Sequence, residues 1–473
     1  MGNGFDLSHY LPTKYDHFMD VMEAIETKDT GGLPKNLQEK KLQEWIRLLK
    51  QTFDKKGESE TDKQFMSFEQ LFSGNRDPNF IAKTKEFYLT ENINLSKKDV
   101  IQLQYRLALN CWYQYFKDHV EEIKTWIDFE RKIEEVLVVF VEVIDDLNKI
   151  YNINSQKYYE YFSGIEKEKT ITISKKNRKI LEFFSFFDNE KYIRPSLYAG
   201  QPGTSELRKN LNSKFCHGEK ISNGFDASLF LSFLNTALEE FIEIFNLYLE
   251  LVVSVLQLNC TVEINSQEWA MPNKIYSFNY TNVYQRLHDS VSVEYLHGSH
   301  GEFQNIVLGI SDLENKALKN LKAYGFTKYH QKLFKDTDYL FLDEYKRKII
   351  SHDKRIREFE RDYQQEDKVS QRKFFELGEK LNLYFFIWGH SLDISDKDYI
   401  VDLFSLNNEM DRNVRVMVYY LNRSAKFSLL NNLLAILGKE KVEHWMKNKW
   451  LQFKQNPEIK FQTEERAEFG EVS

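Results

Sequence analysis

The residues best suited to chemistry in this chain follow directly after short apolar runs. KIYSF (274–278) leads into Asn279-Tyr280-Thr281, VEYL (293–296) into His297-Gly298-Ser299, and LYFFIW (383–388) into Gly389-His390-Ser391. An Asn amide can orient water or a sugar hydroxyl without transferring a proton, and a neutral His near its usual pKa can accept one from either. Gly2-Asn3-Gly4 has the form of a turn that lets backbone approach a phosphate, with the N–H groups of a following helix facing the anion. Each element alone has a plain structural explanation: a hydrogen-bonded His, an Asx turn, a helix capped by Ser391. Their joint position says more. In an open parallel sheet ligands bind at the carboxyl ends of strands, where all four turns would meet.

The elements that must position these residues are strands late in the chain and helices before them. Continuous apolar strands suit a parallel sheet covered on both faces, and NIVLGI (305–310) and VRVMVYYL (414–421) read as two more. Only 7 Pro and 19 Gly interrupt 473 residues, so long helices are expected elsewhere. In 131–150, Ile133, Val136, Leu137, Phe140, Val141 and Ile144 fall on one stripe, and Asp226 is placed to cap a second long helix. The Pro- and Gly-bearing stretch 189–209 reads as a loop or hinge, and the mixed-charge run 343–368 as a solvated helix. The expected fold is α/β: a Rossmann-like, mostly parallel sheet interrupted by large α-helical insertions. Residues 1–25, 269–310 and 380–440 form its discontinuous nucleotide-binding domain. Residues 26–268 are a helical insertion, 311–379 a charged helical insertion, and 441–473 a C-terminal helix and tail. Such a sheet places a strand of about five or six residues ahead of Gly2. Either a strand-like extension lies upstream of Met1, or another segment fills that slot.

Composition narrows the class. Hydrophobic residues make up 42% and charged residues 29%, as in an ordinary globular chain long enough for several modules. A net charge of -7 gives no general attraction to nucleic acid. Cys111, Cys216 and Cys260 are too few and too scattered for a disulfide framework or a four-thiolate zinc site, which fits a reducing compartment. The longest charge-free apolar candidate, 251–262, is shorter than the roughly twenty residues that span a bilayer. No leader is visible, so a cytoplasmic protein without membrane contact is expected. No metal site is expected either, since His297-Gly298-Ser299-His300 is a poor ligand pair.

The motifs GNGFDLSHYLPTKYDHF, SFNYT, YLHG, NIVLGI and IWGHSLDISDKDY, in that order, closely resemble the bacterial abortive-infection AbiH family. TWIDFE (125–130) also looks like a family feature. More distantly the same order resembles the sirtuin-like NAD-binding fold. That resemblance implies that Gly2 and Gly4 hold a pyrophosphate, with Asn3 in the same turn. It implies that Asn279 positions ribose or water, that His297 acts as base, and that Gly389 and Ser391 contact phosphate or the adjoining ribose. Asp6 and Asp16 are the preferred ribose or ordering carboxylates, and Tyr280, Thr281 and Gly298 complete the binding set. Asp393, Asp396 and Asp398 serve equally well as charges at a helix N-terminus. Sirtuin deacylases carry a zinc module between the corresponding segments. Residues 299–388 contain no Cys here, so deacylation is set aside.

Two functions remain open. One is an antiphage effector, an NAD glycohydrolase releasing nicotinamide and ADP-ribose. The other is a non-enzymatic nucleotide-binding sensor or regulator in phage defence. The expected partners are NAD or a related nucleotide, a phage-derived trigger and a second copy of the chain.

Overall fold

The computed structural model describes residues 1–30, 47, 64–123, 125–150, 155–163, 171–194, 204–265, 271–288, 290–337, 340–362, 380–407 and 411–462. The structure is mixed α/β with short sheets. Three strands carry the motif-bearing loops, β1 (Lys274–Ser277), β2 (Ser292–Tyr295) and β3 (Leu383–Ile387), and β4 (Val414–Tyr420) and β5 (Leu451–Gln455) extend the pairing beyond β3. Their pairings are all parallel. Ile275 faces Val293 across β1 and β2, Phe385 faces Val416 across β3 and β4, and Val418 faces Phe453 across β4 and β5.

No strand pair among the described residues joins β1 to β3. The first residue of the chain does. The Met1 amine donates to the Tyr276 carbonyl at 2.5 Å, and the Met1 carbonyl accepts from the Phe278 N–H at 2.8 Å. Bonding to both neighbours of one opposing residue, here Ser277, is the parallel-ladder pattern. On the other side the Gly2 N–H donates to the Trp388 carbonyl at 3.0 Å. The slot expected ahead of Gly2 is thus held at its carboxyl end by Met1.

Helices wall this sheet region: α1 (Asn3–Ser8), α2 (Tyr15–Thr27), α3 (Trp126–Lys149), α4 (Ala227–Tyr248), α5 (Lys328–Phe334) and α6 (Lys397–Ser405). Thr125 and Asp128 cap α3 reciprocally, side chain to backbone, and its expected apolar stripe is buried from Ile133 to Val141. Asp226 accepts from the Ser228 and Leu229 N–H groups to start α4, which ends in a π turn at Leu249–Val253. Aromatic rings lock the three long helices together. Phe129 of α3 stacks on Phe241 of α4 at 5.2 Å, and Phe18 of α2 meets Phe241 and Phe245 edge-on at 5.7 and 5.4 Å. Such pairs add about 0.5–1.5 kcal/mol each beyond burial. One core runs from these helices to Phe5 and Trp388; a second gathers Val416, Val418, Leu403, Phe404 and Trp445 behind β4.

Three expectations need correction. Residues 305–310 form no strand, although Ile306, Val307 and Leu308 are fully buried. The Gln331 side-chain amide takes both backbone groups of Leu308, at 2.9 and 3.0 Å, where a neighbouring strand would otherwise pair. The stretch 189–209 is not simply a loop. Phe187–Arg194 and Thr204–Leu211 pair antiparallel, while Pro195, Gly200, Pro202 and Gly203 lie outside the described residues. Residues 441–473 are more than a helix and tail: after a helix at Lys439–Lys447 the chain adds β5, then Ile459–Gln462 pairs antiparallel with Thr261–Ile264. The charged helix is present as Asp343–Asp362; residues 363–368 of that run lie outside the described residues.

His17 on α2 sets an acid limit on this fold. Its ring is buried 4.6 Å from Phe80, and neither nitrogen has a hydrogen-bond partner among the described residues. Burial lowers its pKa to about 3. The unfolded chain therefore binds this proton first: the stability from a neutral His17 is complete above the unfolded pKa of about 6.5 and is lost as pH falls toward 3. His17→Leu should flatten the acid side of the stability curve by up to about 1.4 kcal/mol per pH unit. Urea unfolding of both proteins at several pH values between 7 and 4 checks this; parallel curves would refute it.

Candidate functional site

The carboxyl ends of β1, β2 and β3 and the turn after Met1 meet at one cleft of about 360 Å³. The glycines let the turns approach. A Cβ on Gly2 would lie 2.6 Å from the His390 Cα, and one on Gly4 would lie 2.8 Å from the Gly389 Cα. Gly389 itself takes φ +72°, a left-handed conformation that favours glycine. The Gly4 N–H donates to the Gly389 carbonyl at 2.8 Å. With the Gly2 N–H also spent on Trp388, these two glycines supply room rather than free donors for an anion.

Asp6 ties the opening turn to the loop after β1. It is buried on α1; its Oδ1 accepts from Asn279 Nδ2 and its Oδ2 from Thr281 Oγ1, both at 2.6 Å. Asn279 Nδ2 also donates to the Gly2 carbonyl at 3.1 Å. Burial pushes Asp6 up to about 7, against the pull of these hydrogen bonds. Asn3 is fixed as firmly: Nδ2 donates to the Thr13 carbonyl at 3.2 Å, and Oδ1 accepts from Thr13 Oγ1 at 2.7 Å.

On the opposite wall lies a buried charge network. Lys328 of α5 stands 2.8 Å from Glu130 of α3 and 3.2 Å from Asp396, just ahead of α6. Asp396 Oδ1 is also 3.1 Å from His297 Nε2, and its Oδ2 is 3.2 Å from His390 Nε2. Because the Leu392 N–H donates to His390 Nδ1 at 2.9 Å, Nδ1 is an acceptor and the proton sits on Nε2, facing Asp396. The ring of Phe278 packs against both imidazoles, at 5.2 Å from His297 and 4.0 Å from His390.

Burial and pairing divide the protons. Burial opposes ionisation of Asp396, yet Lys328 and His297 hold its carboxyl well below the usual range. Burial opposes the Lys328 charge too, but Asp396 and Glu130 hold it above the ordinary lysine range. Glu130 rises to about 7 through burial, with Lys328 opposing. Burial lowers His297 to about 3, Asp396 pulling the other way. A base near the usual imidazole pKa was expected; the structure holds it neutral and weak.

Of the residues expected from sequence, Gly2, Asn3, Asp6, Asn279, Tyr280, Thr281, His297, Gly389 and Ser391 line this cleft. Gly4 packs behind it. Gly298 shapes the turn: it takes φ +78°, and a Cβ there would lie 2.0 Å from the Asn305 carbonyl oxygen. Asp16, on the first turn of α2, is not among the lining residues. Sequence reasoning preferred Asp16 and left Asp396 open equally to a site role and a helix-end charge; the structure puts Asp396, at the start of α6, among His297, Lys328 and His390. That reasoning gave no role to Glu130, Lys328 or His390. Glu130 ends the TWIDFE run, and Asp396 follows His390 by six residues in GHSLDISD, so both had a signal. Lys328 had none.

Short parallel strands with a composite polar cleft at their carboxyl ends, walled by helices inserted between the motifs, define a mixed α/β protein. The chain belongs to the family described as bacteriophage abortive infection AbiH, which it matches over residues 1–420. Membership points to a role in abortive-infection defence against phage. No curated protein and no solved structure matches the chain. Among the described residues no helix is long and apolar enough to cross a membrane.

Lys328 is the cation between two buried carboxyls, so its loss should be costly. Lys328→Met should destabilise the protein by about 3–5 kcal/mol, the cost of leaving a buried charge unpaired. Adding Glu130→Gln and Asp396→Asn should recover much of that loss. Equilibrium urea unfolding of the single and triple variants measures both; a neutral single substitution would show that the network is not buried as described.

Proposed function

We propose that the cleft binds NAD and that the protein hydrolyses it to nicotinamide and ADP-ribose as an effector of phage defence. In this reading β2, β1, the Met1 slot, β3, β4 and β5 act as one Rossmann-like sheet. The observation that carries it is the convergence of Asn3, Asp6, Asn279, His297 and Ser391, drawn from three distant parts of the chain, on one cleft. Tyr15, Trp126 and Phe245 add an apolar wall suited to a planar ring. The volume falls in the lower part of the usual range for ligand sites.

Hydrolysis breaks the bond between ribose C1′ and the nicotinamide nitrogen. Nicotinamide leaves with the bonding electrons, which neutralise its ring; water adds to C1′ and releases one proton. His297 takes that proton, and the ionised Asp396 beside it stabilises the imidazolium formed. A weak base suffices, because water attacking an oxocarbenium-like carbon is strongly acidified. Asn279, held by Asp6, positions water or the ribose. The carboxyls of Asp6 and Glu130 oppose the positive charge that develops on the sugar.

A second reading, a nucleotide-binding sensor without turnover, is favoured by one observation. His297 is held neutral at a pKa of about 3, and its Nε2 lies against Asp396.

The two readings part on product analysis. Purified protein, with and without phage lysate, is incubated with NAD, and nicotinamide and ADP-ribose are quantified by chromatography. Turnover should fall at least about 100-fold in His297→Ala and similarly in Asn279→Ala, with folding checked by circular dichroism. The rate should rise as pH passes about 7, where Asp6 and Glu130 lose their protons. Tight binding by calorimetry without product in any condition would favour the sensor. Equal turnover in wild type and both variants would remove the site assignment.

A further inference from the structure

Residues 316–334 carry five lysines and no acidic residue, in a chain whose net charge is -7. Two of the five are taken up by the fold: Lys328 is held by Glu130 and Asp396, and the Lys332 ammonium lies 4.1 Å from the centre of the Tyr399 ring. Lys316, Lys319 and Lys322 are exposed. So are Tyr324, Tyr329, His330 and Phe334, Tyr329 by 65% and Phe334 by 79%. We propose that this surface binds single-stranded nucleic acid, with the three lysines on the phosphates and the rings stacked on the bases.

The fold holds these groups outward. Leu318, Ala323 and Phe326 are buried, and Ile310 grips the segment by its backbone, donating to the Phe326 carbonyl at 2.9 Å and accepting from the Lys328 N–H at 2.8 Å. Thr327 caps α5, its hydroxyl accepting from the His330 N–H at 3.2 Å. With Lys328 and Gln331 buried on the inner side of α5, Tyr329, His330, Leu333 and Phe334 are left on its outer side. His330 and Phe334, one turn apart, hold their rings at 6.2 Å and 14° from parallel, a pair that an unstacked base can extend. Stacking of this kind tolerates any sequence, because every base has a π face, and lysines beside the rings track the backbone. The charges around the run leave it cationic. Glu239 is paired with Lys335 at 2.9 Å, and Glu314 and Asp336 lie just beyond the two ends of the run in sequence. A bilayer is a poorer fit, since α5 has only seven residues and its inner side is committed to the buried network, so it lays no long apolar face into lipid. A duplex is a poorer fit too, because its bases already stack on one another.

The inference is independent of NAD chemistry and is tested by binding. Fluorescence anisotropy follows a labelled twenty-nucleotide oligothymidylate titrated with the full-length protein; an oligouridylate of the same length runs beside it, and binding of either strand supports the surface. Three phosphate contacts to a single strand predict a slope of log K against log salt of about -2, or about 16-fold weaker binding at about 200 mM salt than at about 50 mM. Lys316→Gln, Lys319→Gln and Lys322→Gln together should abolish that slope and weaken binding at the lower salt by about tenfold or more. Tyr329→Ala with Phe334→Ala should weaken binding by about tenfold or more and leave the slope in place. Because the substituted side chains are exposed, both variants should keep the wild-type Tm within about 2 °C. No binding of either strand at the lower salt, or equal binding by wild type and both variants, overturns the proposal. So does a duplex of the same length bound as tightly as the single strand, which would leave the rings without a role. Vesicles of phosphatidylcholine and phosphatidylserine are the last arm. Sedimentation with them in place of oligonucleotide binding, lost in the same variants, would make the patch a membrane surface instead.

Discussion

The Asp6 carboxylate has to be satisfied away from water, and much of the site follows from that requirement. Burying an ionised carboxylate costs several kcal/mol unless donors meet its oxygens. Here the donors are Asn279 and Thr281, from a loop more than 270 residues later in the chain. Bringing them within 2.6 Å fixes α1 above the end of β1 and forces the backbone of Gly2 and Gly4 against Gly389. No side chain larger than hydrogen fits at that crossing. The opening turn, the loop after β1 and the loop after β3 therefore form one unit, and the cleft is the space left between that unit and the inserted helices. The requirement is met incompletely, since burial still raises Asp6 to about 7.

Residues on the sheet side of the cleft were legible because their sequence signal is local. A short apolar run followed by Asn-Tyr-Thr, His-Gly or Gly-His-Ser reads as a strand end with a functional turn, and β1, β2 and β3 lie within a residue or two of the expected spans. The helix side was legible only in part, through TWIDFE, which carries Trp126 and Glu130. Lys328 sits in an ordinary short helix among 65 Lys and Arg residues, and only the approach of α3 and Asp396 makes it central. Asp16 looked better placed than Asp396 because it is near the first turn in sequence. Its place on α2 nevertheless keeps it out of the cleft lining. The run 305–310 failed as a strand for a related reason: a side-chain amide twenty-three residues on from Leu308 supplies its pairing, and no local pattern announces that.

The helical mass between the motifs is more than a spacer. Trp126 and Glu130 of α3 and Phe245 of α4 line the cleft, and the same helices are locked by the Phe18, Phe129 and Phe241 rings. Movement of α3 relative to the sheet would break the Glu130–Lys328 contact and carry part of the apolar wall away. The core that holds these helices is continuous with Phe5 and Trp388 beside the glycine crossing. A trigger acting on the helical part would therefore reach the site through packed rings and one ion pair, a contiguous physical route.

The balance of charge in the cleft bears on which ligand it favours. With Lys328 and Asp396 ionised and His297 neutral, the net charge near neutral pH depends on Asp6 and Glu130, both of which titrate at about 7. A pyrophosphate close by would favour their protonated forms, removing the repulsion that two fixed carboxylates would impose. A positive charge developing on a bound ribose would favour their ionised forms, and the protons would leave as that charge grows. Carboxyls fixed well below pH 7 would repel the anionic part of a dinucleotide, and carboxyls fixed well above it would give the sugar cation no support. Burial at Asp6, opposed by its hydrogen bonds from Thr281 and Asn279, and burial at Glu130, opposed by Lys328, put both acids where either state is within reach.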